Sequence, residues 1–447
     1  MFRPCNAIGF LLATACYLLT TSSSYSQRSL QETFETLVEE AAERDFSGMV
    51  LAQHKGEIIA AAGIGYADPI SRTAIDSRTL FEIGSITKPI TSLALVILER
   101  QGKLSLEDSI ADHLPSVPAN CRGITIKHLM QHTSGIPGTN YGPTSKDISV
   151  VTKAYLKGGP KKKPGSHFEY WNQGYALLAA IIAEVNETTY PEAIDKLVFR
   201  PAKMKASCFT GDRSPNGLVV SVGQSTRGPS RSALEHPYGN FYGLQYQGMG
   251  GVVTNADDLL SFVNALSKSK ASLDKILQPG PDSDYGLGWW IKEINETDRR
   301  IFHTGSVRGF LSAISWYPER ESSFIVLANT DDRKGFFQVE SSCRKAFEAM
   351  VIPLPKDQQF EDRLTAKLVG QYVLGNRVVT ISKLGDGLEM IIDWGGVKTF
   401  GKLAKSDSTD RLIFLDGSGD DVFISIDKST GKQVTSLIIL DQLYVRR

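Results

Sequence analysis

A serine and a lysine, Ser85 and Lys88, stand three positions apart just before a long apolar stretch. The stretch from Ile90 to Gln101 contains no glycine or proline, and Gly102 follows it. It therefore predicts a buried helix of about four turns with Ser85 at or just before its first turn. A desolvated lysine can stay neutral and take the proton of a serine hydroxyl. The spacing indicates an activated nucleophile, although a serine N-cap beside a surface lysine gives the same pattern.

Two later stretches carry polar side chains that can face a cleft. Tyr170 and Asn172 precede an apolar helix predicted from Ala176 to Val185. A loop in this position either reaches into a cleft or packs its aromatic ring and caps the helix. The tripeptide from His303 to Gly305 lies among short apolar runs that predict strands. Each stretch alone says little, so a functional prediction depends on their occurrence together with Ser85.

Two histidines have the spacing of metal ligands. His128 and His132 lie four residues apart in a helix predicted from Ile124 to Gly135, a spacing that can place two zinc ligands on one helical face. Leu129 stands where a metalloprotease has its glutamate, and no further cluster of histidine, cysteine or acidic residues follows. We therefore expect packing or hydrogen-bonding histidines, no metal site and no cofactor.

The charge balance gives no sign of a nucleic-acid partner. The 447 residues include 49 basic and 49 acidic side chains, so no positive surplus favours nucleic acid or an acidic membrane surface. Three cysteines follow the N-terminal leader, and at most one pair of them can form a disulfide. They are Cys121, Cys208 and Cys343.

Residues 1–26 have the pattern of a cleaved signal peptide. A basic start, an apolar stretch and small residues near Ser26 follow one another. The apolar stretch is too short to span a bilayer, which needs ~20 residues, so no stable membrane span is expected. Lipid anchoring at Cys16 is disfavoured because apolar residues continue beyond it. We expect a secreted or periplasmic protein.

The region that follows the leader predicts a mixed fold. A helix is predicted from Leu30 to Arg44, and a hairpin from Gly48–Ala52 and Glu57–Ala61. Several late strands, of which 321–329 is one, suit an antiparallel sheet. We expect this sheet, with the helices that cover it, to form a main domain over residues 27–352.

The last part of the chain has a different sequence pattern. Residues 353–362 form a proline-, aspartate- and glutamine-bearing linker. Beyond it, short β-runs separated by glycine and aspartate turns predict a small all-β barrel or sandwich over residues 363–447. This part contains no histidine, and we assign it no catalysis.

Taken in order, the three motifs resemble those of the serine β-lactamase and penicillin-binding protein superfamily, in particular its class C β-lactamase and DD-carboxypeptidase-like branch. They are Ser85 to Lys88, Tyr170 to Asn172, and His303 to Gly305, and Tyr285 to Trp290 also looks like that family. The resemblance spans roughly residues 30 to 350. It implies an α+β fold in which an antiparallel β-sheet flanked by helices meets an all-α region (β-lactamase/transpeptidase-like), with the small all-β domain appended.

The resemblance also implies a role for each residue. Ser85 would attack a carbonyl and form an acyl-enzyme, and Lys88 would take or relay its proton. Tyr170 would act as general base or pass the proton to the leaving group, with its pKa lowered by Lys88. The backbone N–H groups of Ser85 and Ser306 would form the oxyanion hole. Four residues would line the substrate site: Asn172, His303, Thr304 and Gly305.

Two positions depart from the family pattern. His303 stands where β-lactamases usually carry lysine, and histidine is largely neutral at pH 7, so the positive charge for a substrate carboxylate is weakened. This moves the prediction away from an efficient β-lactamase and toward peptidase and esterase members. Trp171 stands where small residues are usual, and its indole either narrows the cleft or turns outward.

These features predict an exported serine hydrolase that cleaves amide or ester bonds through an acyl-enzyme at Ser85. A small D-amino-acid peptide is the leading substrate class, as for a DD-carboxypeptidase or a related aminopeptidase. A second hypothesis is an esterase or weak β-lactamase on the same scaffold. A third is a catalytically silent protein that binds a peptide or β-lactam, which the intact motifs disfavour.

Overall fold

The computed structural model describes most of the chain from Phe46 to Ile352 and most of the C-terminal β-region. The described residues are 41, 46–139, 145–225, 228–237, 243–352, 368–384, 387–393, 398–405, 411–415, 422–430, 433–439 and 442–446. Three sequence predictions lie outside them: the signal peptide over 1–26, the helix over 30–44 apart from Ala41, and the linker over 353–362.

A six-stranded antiparallel sheet frames the main region. In chain order the strands of this region are β1 Gly48–His54, β2 Glu57–Ile64, β3 Tyr66–Asp68, β4 Thr73–Ala74, β5 Phe81–Glu82, β6 Cys208–Phe209, β7 Val222–Gly223, β8 Arg231–Ser232, β9 Val252–Thr254, β10 Trp290–Glu293, β11 Arg299–Val307, β12 Phe310–Tyr317 and β13 Ser322–Ala328. The large sheet has the order β10-β11-β12-β13-β1-β2. The early hairpin therefore pairs with the last strand, with Gly48 opposite Ala328.

Helices pack on this sheet and form the helical region beside it. They are α1 Thr87–Arg100, α2 Ile126–Met130, α3 Ile148–Tyr155, α4 Asn172–Asn186, α5 Tyr190–Ile194, α6 Gly243–Gly250, α7 Ala256–Ser267, α8 Lys270–Ile276 and α9 Arg333–Val351. Side chains of β1 alternate between two cores, as the twofold period of a strand requires. Leu51 faces the larger core with α1 and α4, and Val50 faces a smaller core with α9. The predicted α+β fold is confirmed.

The serine motif lies where a short strand turns into a helix. β5 pairs with β9, so that Glu82 lies opposite Val253. A 3-10 turn at Gly84–Ile86 then leads directly into α1. Gly102, with a φ of +69°, follows the end of the helix, as its apolar pattern and glycine stop predict. Ser85 therefore stands immediately before the first turn of a buried helix.

The predicted helix from Ile124 to Gly135 is wrong in its second half. α2 covers only Ile126–Met130 and is capped by the Thr125 side chain. His132 lies beyond its end with a φ of +55°, in the left-handed region where a helix stops. His128 and His132 therefore do not share a helical face.

The C-terminal region is a closed eight-stranded antiparallel barrel. Its strands are β14 Gly370–Leu374, β15 Arg377–Leu384, β16 Gly387–Asp393, β17 Lys398–Lys405, β18 Arg411–Leu415, β19 Val422–Thr430, β20 Gln433–Ile439 and β21 Gln442–Arg446. Leu388, Met390 and Ile392 of β16 belong to the core of the barrel. Ile391, which points the other way, packs against the α9 side of the main region. The predicted all-β region is confirmed as a barrel.

The three cysteines beyond the leader are buried, and none forms a disulfide with another. Burial raises the pKa of the Cys208 thiol to about 12. None of the helices in the described part of the chain combines the length and apolar character needed to cross a bilayer.

Candidate active site

Ser85 and Lys88 are in direct contact. The Nζ atom of Lys88 lies 2.9 Å from the Oγ atom of Ser85, because residues three positions apart project from the same side of a helical turn. A second bond of 2.9 Å joins Nζ to the backbone carbonyl oxygen of Met249. A carbonyl only accepts, so one N–H of Lys88 is committed to Met249 and the rest of the amine faces Ser85.

Lys88 is buried without a compensating charge. Its side chain is fully buried, and the ion pairs among the described residues do not include it. Burial lowers the pKa of Lys88 well below its usual value, because a charged amine loses its hydration there. The neutral amine has a lone pair that can accept the proton of the Ser85 hydroxyl.

Tyr170 completes a three-residue cluster. Its side chain hydrogen-bonds that of Ser85, and the centroid of its ring lies 5.0 Å from Nζ of Lys88. The lowered pKa that the resemblance implies for Tyr170 is wrong: burial raises this pKa, and the bond with Ser85 opposes the rise only in part. The expected lowering requires a charged Lys88, and Lys88 is itself held neutral. Tyr170 is therefore a protonated phenol at neutral pH.

His303 is a buried, neutral histidine that faces Tyr285. Its Nδ1 lies 2.8 Å from the carbonyl oxygen of Thr304 and must donate to it. Its Nε2 lies 3.1 Å from the Tyr285 hydroxyl and therefore accepts. Burial lowers the pKa of His303 to about 3. The third motif thus supplies no positive charge at neutral pH.

Two glycines allow the strand of the third motif to approach the serine. A Cβ on Gly305 would lie 2.0 Å from the carbonyl oxygen of Ile83, so only glycine fits there. Gly84 has a φ of +50°, and a Cβ on it would lie 3.0 Å from the backbone nitrogen of Ser306. The backbone of Ser306 therefore lies beside the turn that carries Ser85, where the resemblance implies an oxyanion hole.

The remaining members of the second and third motifs lie at the start of α4 and on β11. Asn172 is half-buried and begins α4, and Thr304 is half-buried on β11. Trp171 neither narrows the cleft nor turns outward: its indole is 1% exposed and lies in the larger core. The bulky residue in the motif is therefore part of the packing beneath α4.

Both histidines with metal-like spacing bind backbone N–H groups instead. His128 Nδ1 accepts from the N–H of Thr125 at 3.1 Å, and His132 Nδ1 accepts from the N–H of Trp171 at 3.1 Å. In the described ranges, no group of three or more histidine, cysteine or acidic side chains is placed to hold a metal ion.

Several contacts of the site have no signal in the three motifs. The carbonyl of Met249 reaches Lys88 because α6 packs closely on α4: a Cβ on Gly248 would lie 2.4 Å from the carbonyl oxygen of Tyr175. The glycine-rich run around Gly248 is the available signal. Arg333, exposed at the start of α9, donates to the Ser306 hydroxyl at 2.8 Å, and no feature of the sequence indicates this contact.

Comparisons with known proteins agree with this geometry. The model of the beta-lactamase family matches residues 30–341. Penicillin-binding protein 4* of Bacillus subtilis (strain 168) is 30% identical over 386 residues, covering 78% of this chain and 83% of its own length. Protein flp of Staphylococcus aureus (strain MW2) is 28% identical over 323 residues, covering 67% of this chain and 63% of its own length.

Solved structures share the fold at lower identity. An octameric penicillin-binding protein homologue from Pyrococcus abyssi has a TM-score of 0.59 and 23% identity, covering 93% of this chain and 99% of that one. A class C beta-lactamase has a TM-score of 0.61 and 19% identity, covering 72% of this chain and 99% of that one. Because the family model covers well over half of the sequence, the chain belongs to the beta-lactamase family of serine hydrolases and is related to penicillin-binding proteins.

Proposed function

We propose that this protein hydrolyses amide or ester bonds through an acyl-enzyme on Ser85, with a small D-amino-acid peptide as its substrate. The observation that carries the proposal is the 2.9 Å contact of the Ser85 hydroxyl with the amine of Lys88, which burial holds neutral. A buried amine without a carboxylate partner contributes little to stability, whereas it is suited to take the proton of a nucleophile.

The first half of the reaction follows from the protonation states. Lys88 takes the Ser85 proton while Oγ attacks the substrate carbonyl, and the N–H groups of Ser85 and Ser306 stabilise the oxyanion. Tyr170, whose pKa is raised by burial, acts as the acid and gives its proton to the leaving nitrogen or oxygen. The proton held by Lys88 then restores the Tyr170 phenol, so the acyl-enzyme forms without net gain or loss of protons.

The second half repeats these steps with water in place of the serine. Lys88 takes a proton from the water as its oxygen attacks the acyl carbonyl. The bond to Ser85 then breaks, and the serine oxygen takes the proton that Lys88 holds, which restores the hydroxyl and the neutral amine. Asn172, His303, Thr304 and Gly305 line the substrate site in this proposal, with Gly305 acting through the close approach that it allows.

The peptide substrate is supported by a cation beside the site. The exposed Arg333 guanidinium donates to the Ser306 hydroxyl, and the relative with 30% identity is a penicillin-binding protein. We therefore assign Arg333 as the group that binds the terminal carboxylate of the peptide, because a guanidinium can form two parallel hydrogen bonds with a carboxylate. Replacement of Arg333 by glutamine is expected to raise KM for a carboxylate-terminated peptide and to leave KM for a neutral ester unchanged.

An esterase or weak β-lactamase is the second candidate, and one observation favours it. His303, with a pKa lowered to about 3, gives the third motif no charge, so uncharged esters lose nothing at this position. Comparison of a D-alanyl-D-alanine peptide, a neutral ester and a penicillin separates the two candidates. Higher kcat/KM for the ester than for the peptide favours the esterase.

The proposal includes the organisation of the chain. Residues 27–352 form the hydrolase domain, 353–362 the linker and 363–447 the β-domain. The family match over residues 30–341 supports the first of these spans. Residues 1–26 act as a cleaved signal peptide for export, and N-terminal sequencing of the exported chain tests the cleavage near Ser26.

The experiment that tests the nucleophile is intact-protein mass spectrometry of the wild type and of Ser85→Ala. Each protein is incubated with a fluorophosphonate and, separately, with a penicillin. We expect a covalent adduct on the wild type and none on Ser85→Ala. A lasting penicilloyl adduct favours a peptidase, and rapid turnover favours a β-lactamase. If neither reagent labels Ser85 and no ester is hydrolysed, the protein is a silent binder and the hydrolase proposal is wrong.

A further inference from the structure

We propose that His132 is the positioning residue that holds the Tyr170 phenol against Ser85. The proposal rests on the proposed function, because it matters for catalysis only if Tyr170 takes part in the reaction. His132 lies outside the three motifs, and the hydrogen bonds of the described residues join its ring to neither Ser85 nor Lys88. Its effect on the reaction therefore passes through Tyr170.

The backbone on both sides of Tyr170 is tied to His132. The carbonyl oxygen of His132 accepts the N–H of Glu169 at 2.8 Å. Its ring Nδ1 accepts the N–H of Trp171 at 3.1 Å. The residue before Tyr170 and the residue after it are thus bonded to one and the same histidine, which fixes the direction in which the Tyr170 side chain leaves the chain.

The imidazole ring also packs directly on the phenol. The centroids of the His132 and Tyr170 rings lie 4.1 Å apart with an interplanar angle of 34°. On its other sides the His132 ring meets Tyr175 at 5.2 Å and Tyr285 at 5.0 Å. Because the imidazole is held among these rings, it closes off the space into which the phenol could otherwise swing.

The backbone of His132 adopts a conformation that is uncommon for a residue other than glycine. Its φ of +55° lies in the left-handed region, which costs a non-glycine residue free energy and persists where surrounding contacts determine it. With a right-handed conformation, the carbonyl and the ring of residue 132 would not both meet the 169–171 segment as they do. The strained turn is therefore linked to the two bonds that bracket Tyr170.

The ring is neutral, as the positioning role requires. Nδ1 accepts from Trp171, so the proton of the neutral ring is on Nε2, a buried atom without a hydrogen-bond partner among the described residues. Burial lowers the pKa of His132 well below its usual value. Protonation of Nδ1 would break the bond to Trp171 and place a positive charge in the buried cluster around Tyr170.

Two substitutions separate the contributions of His132. His132→Phe keeps a ring against Tyr170 and loses the Nδ1 acceptor, and phenylalanine tolerates the left-handed backbone poorly. His132→Asn keeps a possible acceptor and suits the left-handed region, in which asparagine is enriched, but loses the ring. His128→Asn is the matched control, because His128 also accepts a backbone N–H but lies outside the cluster around Tyr170.

The test measures kcat and KM on an activated ester, together with Tm. We expect His132→Phe to lower kcat on the order of 10²-fold, as misplacement of a reacting group by about 1 Å does, with KM within about twofold. His132→Asn should recover part of the loss, and His128→Asn should leave kcat unchanged. If His132→Phe does not fold, His132→Asn alone must still lower kcat at unchanged KM.

A double-mutant cycle with Tyr170→Phe decides between positioning and general support of the fold. If His132 acts through Tyr170, its substitution lowers kcat little further in the Tyr170→Phe background. An equal fold-loss in both backgrounds, or a change in Tm with kcat intact, overturns the proposal. Failure of the proposed function has a different signature: either the wild type hydrolyses no ester, or Ser85→Ala retains the ester activity of the wild type.

Discussion

Glu82 and Lys88 lie six residues apart on one segment, and each belongs to a different buried cluster that also contains a tyrosine. One consists of Glu82, Arg231 and Tyr246, and the other of Lys88, Ser85 and Tyr170. Glu82 and Lys88 are both almost completely inaccessible to solvent. They differ in what surrounds the ionisable group, and this difference separates a structural cluster from a chemical one.

The Glu82 cluster is complete. One carboxylate oxygen accepts from the Tyr246 hydroxyl at 2.5 Å, and the other accepts from the Arg231 guanidinium. Arg231 also donates to the carbonyl oxygens of Arg308 at 3.1 Å and Glu235 at 2.8 Å. Burial raises the pKa of the Glu82 carboxyl to about 7, and Arg231 opposes a further rise. Every charge in this cluster has a partner, so the cluster fastens β8 and the β11–β12 turn to β5.

The Lys88 cluster has the opposite composition. The hydrogen-bond partners of the Lys88 amine are the neutral oxygens of Ser85 and Met249. The neighbouring Tyr170 phenol keeps its own proton. Because no carboxylate pairs with Lys88, its amine loses a proton and becomes neutral instead of forming an ion pair. A buried lysine with a counter-ion would stay protonated and could not accept a proton, whereas Lys88 can accept one because its burial is uncompensated.

Lys88→Met gives the largest expected effect and separates the two clusters by activity. It keeps the volume of the lysine stem and removes the base. We expect acylation of Ser85 by an activated ester to fall by about 10²–10⁴-fold, the usual contribution of a positioned proton acceptor. Pre-steady-state measurement of the acylation rate checks this, with thermal unfolding as the test of integrity. A loss below tenfold in a folded variant would show that Lys88 is not the base.

Glu82→Gln tests the other cluster by stability. It leaves the Arg231 charge buried without its carboxylate, and removal of one partner of a buried pair is strongly destabilising. Backbone carbonyls still accept from Arg231, so we expect a loss at the lower end of that range, about 3 kcal/mol. Urea unfolding measures the difference.

The companion variant combines Glu82→Gln with Arg231→Met. Removing both charges should restore part of the stability, because the unpaired guanidinium is the main cost. In the remaining folded protein, acylation of Ser85 should change far less than in Lys88→Met. If the double variant is as unstable as Glu82→Gln, the ion pair is not what the cluster contributes.

The pH dependence of stability distinguishes the clusters next. The folded-state pKa of Lys88 is lowered, and its unfolded value is about 10.4. Between these values the unfolded chain binds one more proton at Lys88 than the folded chain, so folded wild type gains stability as pH rises and loses it as pH falls. Lys88→Met lacks this titration, so its free energy of unfolding relative to that of wild type should fall by up to about 1.4 kcal/mol per pH unit between pH 7 and 9. Urea unfolding of both proteins checks this, and a constant gap would mean that Lys88 is charged in the fold.

The sequence carries the local part of this arrangement. Periodicity and the glycine stop predict α1, and the hairpin and late strands predict an antiparallel sheet, because these patterns depend on neighbouring residues. The sequence also places Ser85 and Lys88 on one side of a turn. The fold class and the pair at the centre of the site therefore both follow from patterns within short stretches of the chain.

The remaining features depend on contacts between distant parts of the chain. The carbonyl of Met249, 161 residues from Lys88, shows no pattern of its own, because any residue type supplies a carbonyl. The family resemblance implies the wrong direction for the pKa shift of Tyr170, because burial, which decides the direction, is a property of the packed structure. It also predicts a helix at His132, because the left-handed backbone of this residue is imposed by the distant 169–171 segment.

The smallest expected effect on stability comes from substitution of the two tyrosines, which form a matched pair. Tyr246→Phe removes the hydroxyl that donates to the Glu82 carboxylate. Hydrogen bonds to charged groups contribute about 1.5–3 kcal/mol, and we expect about 1.5 kcal/mol here because Arg231 still serves the carboxylate. Tyr170→Phe removes a hydroxyl bonded to the neutral Ser85, so it should lower activity far more than stability. Urea unfolding and ester kinetics on both variants measure the contrast. If Tyr246→Phe lowers kcat as much as Tyr170→Phe does, the Glu82 cluster takes part in catalysis and the distinction between paired and unpaired burial fails.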